Sequence, residues 1–262
     1  MESPDSILEV RDLKVWFPVK KGVFAVTRGY VKAVDGVSFD MRRGETLGVV
    51  GESGCGKTTM ARAVLGLVRP TAGTIELEGS TGPRDRWRVA QAVFQDPLSS
   101  LNPRHTVLEL LTEAMVYHGL CPRNARRGRA AALLEAVGMS ADVLDRYPHE
   151  FSGGQRQRIC IARAVSLRPK LLVCDEAVSA LDLSVRAQAL DLIGGLKAKL
   201  GLSVLFITHD IGVVQHVADR VVVMKDGRIV ESGDCAGVLK SPSAEYTRYL
   251  MSAVPRIGAA AV

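Results

Sequence analysis

Short apolar or alternating runs, bounded by glycine or charged residues, predict strands along most of this chain. The predicted strands are Ile7–Val15, Val31–Met41, Thr46–Val50, Gly73–Leu77, Arg88–Phe94, Leu171–Cys174, Ser203–Ile207, Arg220–Met224 and Arg228–Ser232. Leu171–Cys174 and Ser203–Ile207 are apolar on both faces, which is typical of strands in a parallel sheet that is covered on both sides. The dipeptide Asp226-Gly227 predicts a hairpin turn between the last two strands.

Between Thr106 and Leu167 the apolar residues recur every three or four positions, which predicts helices instead of strands. Two predicted helical faces consist of Val107, Leu110, Leu111 and Met115, and of Ala130, Leu133, Leu134 and Val137, with Gly138 as a stop signal. The pattern therefore indicates an α/β core that is interrupted by an all-helical insert. It contains no internal repeat and no linker that would separate independent domains.

Composition narrows the class of protein. The chain has 262 residues, of which 47% are apolar and 24% charged, so it is neither disordered nor collagen-like. Aromatic residues make up only 5%, which argues against a protein that reads single-stranded nucleic acid on stacking platforms. The net charge of +6 favours anionic partners such as nucleotides, membrane headgroups or nucleic acid, without choosing between them.

The cysteines and the lengths of the apolar runs indicate in which cellular compartment the chain is expected. Five cysteines with no Cys-x-x-Cys pair are typical of a reduced cytosolic protein. The acidic start from Met1 to Asp5 is not followed by an apolar stretch, so we expect no signal peptide. No window approaches the roughly 18 apolar residues of a membrane span.

A glycine-rich loop follows the predicted strand Thr46–Val50 and precedes a helical run from Met60 to Leu67. It reads Gly51, Glu52, Ser53, Gly54, Cys55, Gly56, Lys57, Thr58 and Thr59. This is the Gly-x-x-x-x-Gly-Lys-Thr phosphate loop in its strand–loop–helix context. Its glycines let backbone amides converge on phosphates, Lys57 balances phosphate charge, and Thr58 supplies a hydroxyl to Mg²⁺.

Two further stretches suit phosphate chemistry. The buried strand that starts at Leu171 ends in Asp175 and Glu176, where Asp175 suits Mg²⁺ and Glu176 suits a general base for the attacking water. Ser152, Gly153, Gly154 and Gln155 open another predicted helix and form a second anion cradle, which a second copy or a homologue could present across an interface.

With these motifs in this order, nearly the whole chain resembles the ATP-binding cassette family. The resemblance implies a P-loop NTPase (RecA-like) α/β core with an antiparallel β-subdomain and an inserted all-helical subdomain. We expect one domain over 1–262, with 1–94 and 168–240 as β-subdomain and core, 95–167 as helical signature subdomain and 241–262 as a tail.

The resemblance also implies roles for individual residues. Residues 51–59 match the Walker A loop, 171–175 match Walker B, Glu176 matches the catalytic glutamate and 152–155 match the signature that meets the ATP of the opposite subunit. Gln95 resembles the loop glutamine that reaches the metal and the water, and His209 resembles the switch histidine. Ser179, Ala180, Leu181 and Asp182 resemble the loop that touches the opposite subunit. Thr58, Asp175 and Gln95 would hold Mg²⁺.

Two positions depart from the family's pattern, and the residue that would fill a third role is left open. The signature begins with Phe151 where leucine is usual, and Ala177 stands where proline is common, which makes that turn less rigid. For the aromatic that stacks on adenine we choose Phe17, with Trp16 and Tyr30 as the alternatives.

One branch of the family is more similar than others, namely the importer subunits for oligopeptides, dipeptides and nickel. The similar stretches are 31–39, 95–104 and 246–255. The form Asn102-Pro103-Arg104 resembles the second of two unlike ATPases, so we expect a heterodimer. Some members hold an iron–sulfur cluster in a cysteine-rich extension; here only Cys235 falls late in the chain, so we expect no cluster.

The implied function is ATP hydrolysis, with ATP and Mg²⁺, by a head-to-tail pair of cassettes that drives uptake of peptides, nickel or metal chelates. The implied partners are two membrane-spanning permease subunits, the second ATPase and, indirectly, an extracytoplasmic solute-binding protein, with no nucleic acid. The implied location is the cytoplasmic face of a prokaryotic membrane. The alternative is a soluble cassette ATPase of the iron–sulfur assembly type. A binding module without hydrolysis is disfavoured because Glu176 and His209 are both present.

Overall fold

The computed structural model of the chain describes residues 5–21, 26–82 and 85–252. Its strands are β1 (Ser6–Lys21), β2 (Val26–Arg42), β3 (Thr46–Val50), β4 (Ala72–Leu77), β5 (Ala90–Phe94), β6 (Leu171–Asp175), β7 (Ser203–Ile207), β8 (Arg220–Lys225) and β9 (Arg228–Asp234). Its α-helices are α1 (Lys57–Val64), α2 (Pro97–Ser100), α3 (Val107–Tyr117), α4 (Arg126–Ala136), α5 (Gly153–Val165), α6 (Leu183–Leu200), α7 (Ile211–Val217), α8 (Cys235–Lys240) and α9 (Glu245–Ser252). The N-terminal residues before Asp5 and the end of the similar stretch 246–255 lie outside the described residues.

The predicted strands are all confirmed, with shifts at their ends. The strand predicted to start at Arg88 starts at Ala90, because Arg86–Arg88 forms a 3-10 turn. The helical insert is confirmed as well, and seven of the eight residues on its two predicted faces are buried. Gly138 ends the second of these helices with a φ of 69°, a value that glycine adopts without strain.

The described chain divides into two compact units. The first, here called the helical unit, is built mainly from Glu76–Leu205. In it β5 and β6 pair in parallel from Ala90 opposite Leu171 to Phe94 opposite Asp175. The three helices α3, α4 and α5 pack against one another in this unit. The prediction of a single domain over 1–262 stays a prediction.

The second, here called the loop unit, is built mainly from Glu9–Met41, Glu45–Ile75 and the chain from Phe206 onward. In it β3 pairs in parallel with β8, and β8 pairs antiparallel with β9 through the hairpin that Asp226-Gly227 predicts. All five residues of β3 are buried. The strand therefore delivers the chain that follows it to one edge of the sheet at a fixed position.

The C-terminal helix α9 is anchored to this sheet by apolar and polar contacts. Its residues Tyr246, Leu250 and Met251 pack against a core cluster that includes Val50 of β3. The carboxylate of Glu231 on β9 accepts hydrogen bonds from the N–H and hydroxyl of Ser243 at 2.7 Å each. Burial alone would raise the pKa of Glu231, but hydrogen bonds from the segment before and within α9 outweigh it and lower the pKa to about 2. Glu231 is therefore a charged anchor for α9 at neutral pH.

The cysteines agree with the expectation of reduced thiols. All five are free and buried. Burial raises the pKa of Cys160 to about 11 and that of Cys174 to about 12, so both remain unreactive thiols at neutral pH. Among the helices of the described residues, none combines the length and apolar character needed to cross a membrane.

Candidate functional site

The glycine-rich loop between β3 and α1 has a backbone that excludes side chains at two points. Gly51 has a φ of 154°, and a Cβ there would lie 2.2 Å from the carbonyl oxygen of Met224. Gly56 has a φ of 105°, and its Cβ would lie 2.1 Å from the carbonyl oxygen of Ala33. Both distances are far below van der Waals contact. The loop therefore requires glycine at both positions for steric reasons.

The ammonium group of Lys57, the first residue of α1, is turned back onto this loop. Its Nζ lies 2.7 Å from the carbonyl oxygen of Gly51 and 2.8 Å from that of Glu52, and 3.7 Å from Sγ of Cys55. The residue is only 4% exposed, and no carboxylate pairs with it among the described residues. A buried charge that has only neutral partners is costly. The loop at a helix N-terminus is thus a positively charged cradle that suits an anion.

Two neighbouring segments hold the loop in place. The hydroxyl of Tyr246 on α9 accepts a hydrogen bond from the N–H of Glu52 at 3.1 Å. The N–H of Gly227, in the turn between β8 and β9, donates to the carbonyl oxygen of Cys55 at 3.0 Å. Burial raises the pKa of Tyr246, so its hydroxyl stays neutral. The sequence around Tyr246 does not predict this contact, because only the folded chain shows which loop its hydroxyl meets.

In the helical unit, the register of β5 and β6 brings three predicted residues to one edge. Because Phe94 lies opposite Asp175, Gln95 and Glu176 leave their strands side by side at the carboxyl ends. Asp175 is 5% exposed, while Gln95 is exposed. Buried carboxylate and neighbouring amide oxygens are the hard ligands that Mg²⁺ prefers.

The turn after β6 holds Glu176 in a conformation that is unusual for a residue with a side chain. Its φ is 50°, in the left-handed region. The N–H and hydroxyl of Ser179 both donate to the carbonyl oxygen of Glu176, at 3.1 and 2.9 Å. The side-chain amide of Gln157 donates to the carbonyl oxygen of Ala177 at 2.6 Å. These bonds restrain the turn although Ala177 replaces the proline that is common there.

The start of α5 is open to solvent. Ser152 caps the helix by accepting a hydrogen bond from the N–H of Gln155, whose side chain accepts one from the N–H of Ser152 in return. Ser152, Gly153 and Gln155 are exposed, whereas Phe151 just before them is 4% exposed and anchors the segment. The buried phenylalanine therefore serves as an apolar anchor just before the helix. The exposed helix start can meet an anion from outside the chain.

The remaining predicted residues divide between the two units. In the helical unit Ser179, Ala180, Leu181 and Asp182 lead into α6, where Arg186 donates to the carbonyl oxygens of Ser179 and Leu181 at 3.5 and 3.4 Å. In the loop unit His209 is exposed after β7, and the next residue, Asp210, caps α7. The loop unit thus carries residues 51–59 and His209, and the helical unit carries Gln95, Asp175, Glu176 and both 152–155 and 179–182.

The three candidate aromatics lie on β1 and β2. The indole N–H of Trp16 donates to Asp35 at 3.2 Å, and the ammonium of Lys32 lies 4.5 Å from the centre of its ring. Tyr30 is tilted against Trp16 with ring centres 6.2 Å apart. Phe17 is 43% exposed and makes no ring contact with another described residue. The geometry favours Phe17 over Trp16 as a stacking platform, since one face of the indole is already covered.

Comparison with known proteins finds a matching family model and several proteins of similar sequence. Residues 34–179 match the family model described as "ABC transporter". The chain is 50% identical over 259 residues to the oligopeptide transport ATP-binding protein OppF of Escherichia coli K12, covering 95% of this chain and 78% of that protein. It is 47% identical over 258 residues to the dipeptide transport ATP-binding protein DppF of the same organism, covering 96% of this chain and 77% of that protein.

Two solved structures are similar over most of their length. One is cbiO1 from Clostridium perfringens, described as part of the ABC transporter complex cbiONQ, with a TM-score of 0.75, 27% identity and coverage of 97% of both chains. The other is the ATP-binding cassette MJ0796 in a post-hydrolysis state bound to ADP and Pi, with a TM-score of 0.75 and 25% identity, covering 87% of this chain and 98% of that one.

The contact between Tyr246 and Glu52 generates a prediction about nucleotide affinity. Tyr246→Phe removes the acceptor for the Glu52 N–H and leaves the ring, so the loop loses one of the hydrogen bonds that hold it in place. We expect the affinity for ATP, measured by calorimetry on the full chain, to fall by about three- to tenfold, since a neutral hydrogen bond contributes about 1 kcal/mol. Tyr249→Phe is the control, because Tyr249 lies on the same helix and is 60% exposed. Equal affinity in the two variants would show that this hydrogen bond does not contribute to ATP binding.

Proposed function

Since this chain belongs to the ABC transporter family and is the ATP-hydrolysing subunit of an importer, we propose that it drives the uptake of peptides. Family membership confirms the predicted α/β cassette fold and the predicted ATPase activity. It also sets aside the soluble iron–sulfur assembly alternative, because the relatives are ATP-binding proteins of transport systems. Peptides are proposed ahead of nickel and metal chelates, because oligopeptide and dipeptide transport are named in these relatives.

The buried ammonium of Lys57 is the observation that carries the proposal. It is held by two backbone carbonyls in a loop that tolerates only glycine at Gly51 and Gly56. A polyphosphate supplies the negative charge that this group lacks, and loop amides at the start of α1 add donors. This arrangement supports binding of the β and γ phosphates of ATP by residues 51–59.

The roles proposed for the helical unit rest on the carboxylates at the end of β6 and on the amide of Gln95 at the end of β5. Asp175 and Gln95 would hold Mg²⁺ where β6 and β5 end, and this oxygen-rich, partly buried edge suits the ion. When bound, Mg²⁺ neutralises phosphate charge. Glu176 accepts the proton of the attacking water, and the restrained turn around it fixes its backbone. In the loop unit, His209 contacts the γ-phosphate, and Phe17 stacks on adenine.

A second cassette completes each site in this proposal. The exposed start of α5 at Ser152 offers a hydroxyl, backbone amides and the positive end of a helix dipole to the ATP of that second chain. Residues 179–182 contact the same partner. We propose an unlike, homologous ATPase as the second chain, on the strength of the Asn102-Pro103-Arg104 form.

The membrane partners are proposed to be two permease subunits, held by the helical insert at the cytoplasmic face of the membrane. The docking surface would lie within residues 94–107. In this segment Leu101 is 2% exposed and therefore part of the core, so it cannot line a docking surface. Leu98, on α2, is 50% exposed, and Arg104 is exposed as well. These two residues are therefore the proposed contacts.

The role of Glu176 has a direct kinetic test. Glu176→Gln keeps the shape and removes the base, so we expect ATP hydrolysis in the purified complex to fall by about 10²- to 10⁴-fold while ATP still binds. The partner ATPase carries a disabling change in its own site, so that only this site turns over. Glu135→Gln is the control, since Glu135 is exposed on α4. Hydrolysis near the normal rate in Glu176→Gln would refute the assignment of the base.

The transport proposal has a separate test. Purification of the tagged full chain from membranes in mild detergent is expected to bring down two multi-spanning proteins and a second, unlike ATPase. Leu98→Ser with Arg104→Glu should abolish this association and leave ATP binding intact, whereas Leu120→Ser with Arg123→Glu, also exposed, should change neither. A purely soluble set of partners would contradict the proposed permease partners and leave the ATPase chemistry in place.

A further inference from the structure

The helical unit contains a pocket that none of the nucleotide residues lines. It has a volume of about 180 Å³. The end of α3, one face of α4, the segment after α5 and the last turns of α6 form its walls. At about 30 Å³ per water molecule, this volume equals roughly six waters. It is large enough for a small organic molecule.

The rim of the pocket is cationic. Arg129 of α4, Arg168 of the segment after α5 and Lys199 of α6 line it, and no carboxylate of the described residues does. None of the three cations makes an ion pair or a side-chain hydrogen bond with another described residue. All three are exposed, so their side chains can turn toward a ligand. The rim therefore offers three uncompensated positive charges around one opening.

A buried hydroxyl group lines the same pocket. Ser166 follows the last residue of α5, is 8% exposed, and its Oγ has no hydrogen-bond partner among the described residues. Burying a hydroxyl without a partner costs free energy, because its hydrogen bonds to water are lost. A ligand with an acceptor atom would satisfy it once the enclosed Oγ turned toward the pocket. The hydroxyl and the three cations would thus all bind the same kind of ligand group, an anion.

The rest of the lining is apolar. Met115, Val165 and Leu196 are each at most 5% exposed and form the floor, while Leu133, the half-exposed member of its predicted helical face, lines the wall. The pocket thus explains why Leu133 is not fully buried. Apolar walls with a few convergent polar groups are typical of small-molecule sites.

We propose that this pocket binds a small amphipathic anion, with a carboxylate or phosphate head at Arg129, Arg168, Lys199 and Ser166 and an aliphatic tail on the apolar floor. The head gains charge-assisted hydrogen bonds from the cations and one from the hydroxyl. The tail gains apolar contact with the floor. The site does not depend on the proposed transport function, because none of its residues takes part in nucleotide chemistry.

Calorimetry on the full chain tests the proposal with four probes that share one tail. Octanoate and octyl phosphate carry the two anionic heads, octan-1-ol a neutral one and octylamine a cationic one. We expect saturable binding of at least one anionic probe, and the tighter of the two identifies the head. Binding of octan-1-ol or octylamine as tightly as the anions would overturn the proposal, and so would the absence of saturable binding of both anions below their micelle concentrations.

Variants localise the binding. Arg129→Ala with Lys199→Ala should weaken the anionic probe at least about tenfold, the loss expected when charge-assisted hydrogen bonds are removed. The control, Arg123→Ala with Lys240→Ala, removes two exposed cations that do not line the pocket and should leave affinity within twofold. Equal affinity in the two double variants would overturn the proposal.

Ser166→Ala distinguishes a ligand contact from a structural role. If the hydroxyl serves the ligand, the variant binds the anionic probe about three- to tenfold more weakly and unfolds at the same or a higher temperature, since an unpartnered group is removed. A lower unfolding temperature with unchanged probe affinity would show a structural hydroxyl and contradict this part of the site.

Discussion

A lysine ammonium that is buried against two backbone carbonyls is the feature on which the loop unit depends. Lys57 can reach Gly51 and Glu52 only because the loop closes tightly around it, and that closure excludes side chains at Gly51 and Gly56. The fully buried strand β3 delivers the loop, and the turn at Gly227 holds its far side. A charge kept in this way, without a carboxylate partner in the described part of the chain, prepares the loop for phosphate.

Because the phosphate loop must be held in place, α9 and the segment before it do more than cover the sheet. Glu231 fixes the segment before α9, and α9 places the Tyr246 hydroxyl at the N–H of Glu52. A chain of polar contacts thus connects strand β9 to the phosphate loop. In the helical unit, the register of β5 and β6 plays the equivalent part, because it sets Gln95 beside Asp175 and Glu176. Side-chain bonds from Ser179 and Gln157 then hold a turn that lacks a proline.

Much of this fold could be predicted from the sequence, because the spacing of apolar residues indicates which side chains are buried. The strands and the insert helices follow from that pattern, and the phosphate loop follows from residue types at fixed spacing. Helix α1 starts at Lys57, three residues before the predicted helical run from Met60, because the phosphate-loop residues before Met60 are polar and carry no apolar period. For α5 the pair Ser152 and Gln155 forms a capping box, which is a readable signal for the true start.

Other features depend on tertiary contacts that no local pattern encodes. Leu98 and Leu101 lie three residues apart, yet one is exposed and the other belongs to the core. The Tyr246 contact joins residues 194 positions apart. The buried hydroxyl of Ser166 is polar in a helical stretch and gives no sign in the sequence of the pocket beside it.

The most direct test of the account is the affinity of the full chain for Mg-ATP and for adenosine, measured by calorimetry with Lys57 and with Lys57→Met. Methionine keeps most of the side-chain volume and removes the charge. The account predicts that the variant loses at least about tenfold in affinity for Mg-ATP, as expected for a charged hydrogen bond to phosphate, and binds adenosine unchanged. Equal affinity of both proteins for Mg-ATP would contradict the claim that the buried ammonium holds the phosphates.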